Sequence, residues 1–456
     1  MKEKEFRCAA SAQGGLLVLH GVAGAAYGDR VVVRGADGRR RAGQVIRTSD
    51  EAVLVQVLEG TDGLDLERTW VRFLDASFQI AVSPGLLGRV FDGIGRPRDG
   101  RPPLVSGQAR DINGGAINPA ARYYPSEFIQ TGISTIDGLN SLVRGQKLPV
   151  FSGPGLPHNR LAAQIVRQAR LPGEEGGFAV VFAAMGISHA DAHFFEQDFA
   201  ASGVLGNVVM YTNLADDPPL ERLILPRAAL TAAEYLAFEL DRHVLVVMTD
   251  MTHYAEALRE VATAKGDVPA RKGYPGYLYS DLASLYERSG RIKGRHGSIT
   301  LVPVLSMPGD DITHPIPDLT GYITEGQIVL SRELHAQGIY PPVSILPSLS
   351  RLMKDGVGKD YTRSDHPHVA SQLYALYARA REVRNLASII GKDELPEADQ
   401  RYLEFAAEFE RRFVGQGEER GILDTLALAW ELMARFPADA LSRLSDTDLA
   451  RYHAPA

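Results

Sequence analysis

The chain has 456 residues, 45% of them apolar, enough for two to four domains with sizeable cores. Its 49 basic and 56 acidic residues leave a formal charge of −7, which speaks against an electrostatic grip on nucleic acid or anionic lipid and so against helicase-like functions. A single cysteine, Cys8, excludes an internal disulfide framework or a cysteine zinc site and points to a reducing, cytoplasmic setting.

The opening Met1-Lys-Glu-Lys-Glu-Phe is charged and lacks the apolar core of a signal peptide. The longest apolar runs, such as Val244-Leu-Val-Val-Met248, fall far short of the roughly 20 residues that span a bilayer, so membrane association is expected only through a partner. From Gly14 to about Ser77 short apolar segments alternate with glycine: Leu16–Leu19, Arg30–Val33, Gln44–Ile46 and Ala52–Leu58. Asp37-Gly38 between two of them is a hairpin signal, and the spacing predicts a small β-barrel or sandwich over residues 1–77. The Gly/Pro-rich connector from Ser83 to Gly100 marks the boundary.

Residues 78–364 change to alternating strand and helix patterns. Strands are expected near Leu148–Phe151, Ala179–Phe182, Val208–Tyr211, Val244–Thr249 and Thr300–Ser306, with helical periodicity between them, as in Leu230–Phe238. Apolar strands separated by helices imply a mostly parallel sheet covered on both faces, the style of a P-loop nucleotide domain. Residues 365–456 read as a helical bundle: Tyr402, Phe405, Phe409 and Phe413 recur at helical spacing as a core stripe, and Leu423–Met433 forms another amphipathic helix closed by Pro437. The fold class is thus α/β multidomain: N-terminal β-barrel, central RecA-like domain, C-terminal helical bundle.

Phe151-Ser-Gly-Pro-Gly-Leu-Pro-His-Asn-Arg160 follows an apolar run and precedes a helix pattern, which is the setting of a phosphate-binding loop. Aligned on Gly153, followed by Pro154 and Gly155, the G-x-x-x-x-G-K-[ST] pattern expects glycine, lysine and hydroxyl where His158, Asn159 and Arg160 stand. The lysine meets the β- and γ-phosphates and the hydroxyl holds Mg²⁺, so both contacts are lost. The next strand ends Ala183-Ala-Met-Gly-Ile-Ser-His189, with Ile187-Ser188 in place of a carboxylate that could position water; Glu196 and Asp198 sit on the following helix and read as solvated. Asp250, at the end of Val244–Thr249, admits two readings, an acid facing bound Mg²⁺ or the cap of a helix over Thr252–Val261. His314, between Asp310-Asp311 and Pro315, reads as a loop-ordering residue, and no metal site is predicted. Ser350-Arg351 ends the proline-stiffened run Pro341-Pro-Val-Ser-Ile-Leu-Pro-Ser-Leu-Ser-Arg351, where a held backbone lets a guanidinium fork project.

Six segments together resemble the B subunit of the V/A-type rotary ATPases and ATP synthases over nearly the whole chain: Leu87–Pro97, Ser152–His158, Leu230–Phe238, Asp250–Glu260, Met307–Gly326 and Pro347–Lys354. One departure is Ser344, where a related signature prefers Asp, Asn or His. The resemblance implies a non-catalytic, regulatory subunit that alternates with catalytic A subunits in a hexameric ring around a rotor shaft, braced by peripheral stalk subunits, on the cytoplasmic face of the membrane. It implies that Mg-ATP or Mg-ADP sits at the interface with the A subunit, with none tightly held by this chain alone, and that Arg351 is an arginine finger acting in trans beside Ser350. Gly153, Pro154, Gly155, His158, Asn159, Arg160 and Asp250 then line a degenerate or interface site. Turnover couples ATP synthesis or hydrolysis to ion translocation, with direction and ion set in other subunits. A nucleotide-sensing regulatory protein and an autonomous NTPase with an unusual loop are the alternatives.

Overall fold

The computed structural model describes residues 4–7, 9–13, 15–173 and 178–453; Cys8 lies outside them. Seven antiparallel strands open the chain: β1 (Lys4–Phe6), β2 (Ala9–Gln13), β3 (Leu16–His20), β4 (Arg30–Arg34), β5 (Arg40–Thr48), β6 (Ala52–Val57) and β7 (Trp70–Phe73), paired in the order β1-β7-β4-β5-β6-β3-β2. Strict alternation sends Leu17, Leu19, Val31, Val33, Val53, Val55 and Val57 to one face, where they pack with Val71 and Phe73 as a closed core. The turn expected at Asp37-Gly38 joins β4 to β5, with Gly38 at φ +73, a conformation glycine adopts without a Cβ clash.

The central sheet contains β8 (Arg89–Phe91), β9 (Val150–Ser152), β10 (Ala179–Ile187), β11 (Val208–Leu214), β12 (His243–Thr249), β13 (Ser298–Ser306), β14 (Gly326–Leu330) and β15 (Val343–Ser350). The order along its main path is β15-β14-β9-β13-β12-β10-β11-β8, parallel except for β15, which runs antiparallel to β14 at the edge; off this path Gly290–Ile292 pairs antiparallel with β13. Every residue of β10 is buried, and alternate side chains go to opposite faces. Val181, Ala183 and Met185 join the core that includes Leu225, Ala229 and Leu236, while Val180, Phe182 and Ala184 join the one that includes Phe195 and Phe199. This two-sided burial is why the strands read as continuous apolar runs, each Val or Phe contributing about 1.5–3 kcal/mol. The covering helices include α1 (His158–Gln168), α2 (His189–Ala201), α3 (Pro219–Phe238) and α4 (Met251–Lys265).

Three helices dominate the C-terminal part: α5 (His366–Ile390), α6 (Glu397–Glu408) and α7 (Ile422–Met433). The aromatic stripe is core, with Phe405, Phe409 and Phe413 fully buried and stacked at 5.5 and 5.0 Å between ring centroids. A π-helical turn over Phe409–Val414 follows α6 directly. Phe128, Leu334 and Ile345 share this core, so the bundle is fused to the edge of the central sheet that carries β15.

Candidate functional site

Strand β9 ends at buried Ser152, and the chain turns through Gly153, Pro154 and Gly155 before α1 begins at His158. Gly155 has φ +78, so the turn keeps the backbone of a phosphate loop although its chemistry has changed. The replacement side chains are satisfied from within the chain. His158 Nδ1 lies 3.1 Å from Ser152 Oγ. Asn159 Nδ2 donates to Asp191 at 3.1 Å, and its Oδ1 accepts from Thr249 Oγ1 at 3.3 Å, so an amide bridges the loop helix, β12 and α2 where a lysine would reach toward phosphate. Arg160 turns away and lies over the Tyr340 ring, 3.8 Å from its centroid.

A second layer braces the loop from outside. Arg332 grips Asp310 with two hydrogen bonds of 2.7 and 2.9 Å and donates to the Pro154 carbonyl at 2.9 Å. The guanidinium holds the Asp310 carboxyl below its ordinary range. Asp310 is packed so tightly on the loop that a Cβ at Gly153 would stand 2.1 Å from its Oδ1. Sequence reasoning misses both Asp310 and Arg332 as partners of the loop, since no local pattern connects them with a turn more than 150 residues earlier.

The acid positions follow the same logic. Asp250 is 3% exposed and fully engaged: Oδ1 accepts from Thr252 N at 2.8 Å and Ser306 N at 3.1 Å, and Oδ2 accepts from Ser306 Oγ at 2.5 Å. It caps α4, the second of the two readings left open by the sequence. Ile187 is buried, and Ser188 caps α2 through its bond from Asp191 N, leaving an apolar wall where a water-positioning carboxylate would stand. Glu196 is exposed, whereas Asp198 is ion-paired with Arg167 at 2.5 Å instead of being freely solvated. His314 is buried, accepts from Ile316 N at 3.5 Å and meets the Tyr274 ring edge-on, and burial lowers its pKa. Among the described residues no group of three or more His, Cys, Asp or Glu could hold a metal ion.

Ser350 and Arg351 are elsewhere. Because β15 runs against β14, its C-terminal end lies beside the start of β14, with Ser350 opposite Gly326, whereas the Gly153 loop leaves the far end of β9. The two groups of candidate residues therefore lie at opposite ends of the strands, on the same side of the sheet. Ser350 is buried, donating to Ser141 O at 2.8 Å and accepting from Gln146 Nε2 at 2.9 Å, so its hydroxyl fastens the strand end. Arg351 is exposed. Its backbone N–H donates to Glu325 O at 2.9 Å, and among the described residues its guanidinium keeps one hydrogen bond, Nη1 to Thr324 O at 3.1 Å. Exposed Leu349 stands two residues before it, and exposed Tyr322 precedes the Thr324–Glu325 segment to which it bonds. Glu325, which accepts the Arg351 N–H, also lines a cleft of about 370 Å³ together with Arg122, Tyr124, Lys147, Glu287 and Arg291 among others. Lys147 immediately precedes the apolar run Leu148–Phe151 and carries no local signal of its own.

Three family models cover most of the chain: the ATP synthase alpha/beta family beta-barrel domain over residues 10–87, the nucleotide-binding domain of that family over 132–350, and the C-terminal domain of V and A type ATP synthase over 355–453. The chain is 71% identical over 455 residues to the V-type ATP synthase beta chain of Nitrosococcus oceani, covering 99% of this chain and 95% of that one. It is 56% identical over 452 residues to the A-type ATP synthase B subunit of Aeropyrum pernix, covering 99% and 98%. A solved structure, the unique ATP synthase subunit NeqB from Nanoarcheaum equitans, superposes with a TM-score of 0.74 at 40% identity, covering 90% of this chain and 100% of that one.

Proposed function

The chain belongs to the ATP synthase alpha/beta family, among the B subunits of the V/A type, and on that basis we propose that it is the non-catalytic member of an alternating ring, donating Arg351 to a nucleotide held mainly by its partner. The carrying observation is a contrast between the two ends of the strands of one sheet. At the Gly153 loop the replaced side chains are engaged within the chain, with His158 against Ser152, Asn159 bonded to Asp191 and Thr249, Arg160 over the Tyr340 ring, and the turn braced by Arg332 and Asp310. At the other end a permanently charged fork is left exposed on a fastened backbone.

Mg-ATP does not fit this chain's own loop: the lysine and hydroxyl are absent, and the Asp250 carboxylate is occupied by Thr252 and Ser306. Nucleotide and metal therefore belong to the partner's loop at the shared interface. There Arg351 would give two parallel hydrogen bonds to the charge that grows on the terminal phosphoryl oxygens in the transition state. Ser350 stays on the protein side of this arrangement, holding the end of β15 so that the guanidinium is aimed before the partner's nucleotide arrives. The catalytic A subunit, rotor shaft and peripheral stalk are the partners this role requires. Attachment to the cytoplasmic face of the membrane runs through them, since no helix among the described residues is long and apolar enough to cross a bilayer.

The test uses the chain alone and with an A-type partner. The purified chain should release no phosphate from ATP, and the mixed complex should. Steady turnover by the isolated chain at a rate comparable to the complex would overturn the reading in favour of an autonomous NTPase.

A further inference from the structure

We propose that Lys147 is a positioning residue for Arg351, acting through Glu325; the inference deepens the assignment of Arg351 as the trans-acting arginine and rests on it. Arg351 is fastened twice to the segment before β14, by its N–H to Glu325 O and by Nη1 to Thr324 O. Whatever fixes residues 324–325 therefore aims the guanidinium. Lys147 fixes them with both ends of the residue: its Nζ lies 2.7 Å from Glu325 Oε1, and its backbone N–H donates to Glu325 Oε2 at 2.8 Å. In return Glu325 N donates to Lys147 O at 3.0 Å. The preceding residue adds a strap, since Gln146 Nε2 reaches both Glu325 O at 3.2 Å and Ser350 Oγ at 2.9 Å.

The lysine is built into the protein for this contact. Its side chain is only 4% exposed, yet its ammonium stands between two carboxylates, Glu325 and Glu287, the second at 3.4 Å. Burying a lysine this deeply is costly unless it is paired, and a surface ion pair would not require it. The two acids differ in what they would keep without it. Glu287 also accepts from Arg122 Nη2 at 2.5 Å, so it would retain a cation, whereas Lys147 is the cation shown on Glu325. Loss of the ammonium therefore falls on the segment that carries Arg351. Because Lys147 itself makes the parallel bridge to Leu301 and leads into β9, its own position is set by the sheet and not by the segment it steadies.

The experiment is a double-mutant cycle in the reconstituted complex with the A-type partner, with assembly checked by native mass. Lys147→Met should lower kcat for ATP by about 10- to 100-fold, the cost of misplacing a catalytic group by an ångström or so. KM should stay within about twofold, because nucleotide is held elsewhere. In an Arg351→Ala background the same change should cost less than about twofold in kcat, and Lys147→Arg should recover most of the activity. Additive losses in the two backgrounds, or an unchanged kcat for an assembled Lys147→Met complex, would overturn the proposal. If Lys147→Met does not assemble, Glu325→Gln, which removes the charge and keeps the shape, takes its place in the cycle with the same expectations. Full activity of Arg351→Ala alone would instead defeat the assignment of the arginine.

Discussion

Replacing Arg351 by alanine separates catalysis from folding because of how the residue is held. Its backbone N–H bond to Glu325 O survives the change, and the guanidinium gives up only one hydrogen bond, to Thr324 O, at an exposed position. Surface changes of this kind alter stability by less than about 0.5 kcal/mol, so the isolated chain should unfold at nearly the wild-type denaturant midpoint. In the complex the loss is of a different size. Arginine fingers are worth about 10³ to 10⁵ in turnover, which at 1.36 kcal/mol per decade is about 4–7 kcal/mol of transition-state stabilisation. The expected phenotype is therefore a fall of at least about a thousandfold in steady-state phosphate release, with ATP binding by the complex largely retained. Arg351→Lys should lie between, since the ammonium keeps the charge but not the planar fork. The assay is phosphate release at saturating ATP, with nucleotide binding measured on the same preparation by calorimetry. Turnover of the Arg351→Ala complex within about threefold of wild type would refute the reasoning.

Three further outcomes follow from the geometry. Rebuilding the loop motif with His158→Gly, Asn159→Lys and Arg160→Thr should not make the isolated chain hydrolyse ATP, because Ile187 still supplies no carboxylate and Arg332 with Asp310 still holds the turn; measurable phosphate release would refute this. Burial holds the His366 pKa down at about 4 from its ordinary 6.5, with its ring nitrogens facing Gly138 O and Thr362 Oγ1. The unfolded imidazole takes up a proton below pH 6.5 while the folded one does so only near pH 4, so a contribution of about 3 kcal/mol, fully present above pH 6.5, should be lost as pH falls across that window. Urea titrations at several pH values should show the slope reduced in His366→Gln, and an identical slope would count against it. Phe409→Ala should destabilise the chain by about 3–5 kcal/mol by opening a cavity between Phe405 and Phe413, read as a lower urea midpoint with an unchanged m-value.

The parts of the fold that are legible in the sequence are those whose signal is local. Strand β10 can be read because each of its residues is buried between helices, so no polar residue interrupts it. Gly38 and the aromatic stripe from Phe405 to Phe413 are likewise local signals of turn and helix. Periodicity does not give the sheet order, and neither the insertion of β13 between β9 and β12 nor the reversed edge strand β15 can be read from it. Both depend on pairings between distant segments. The site shows the same division. Loss of lysine and hydroxyl at Asn159 and Arg160 is visible because the motif has fixed spacing, but what fills the gap is not: Asp191, Thr249, Asp310 and Arg332 reach the loop only through tertiary structure. Lys147 is hidden because a buried lysine looks, in one dimension, like the polar residue that commonly precedes a strand.

A turn whose replaced side chains are held by partners within the chain offers nothing for nucleotide to order. On the proposed reading only every second loop around the ring then senses nucleotide, and the alternate ones serve as rigid walls between the sensing sites. Depletion of ATP would then loosen the ring at one class of interface and leave the other standing, so an energy-starved complex should come apart into pairs.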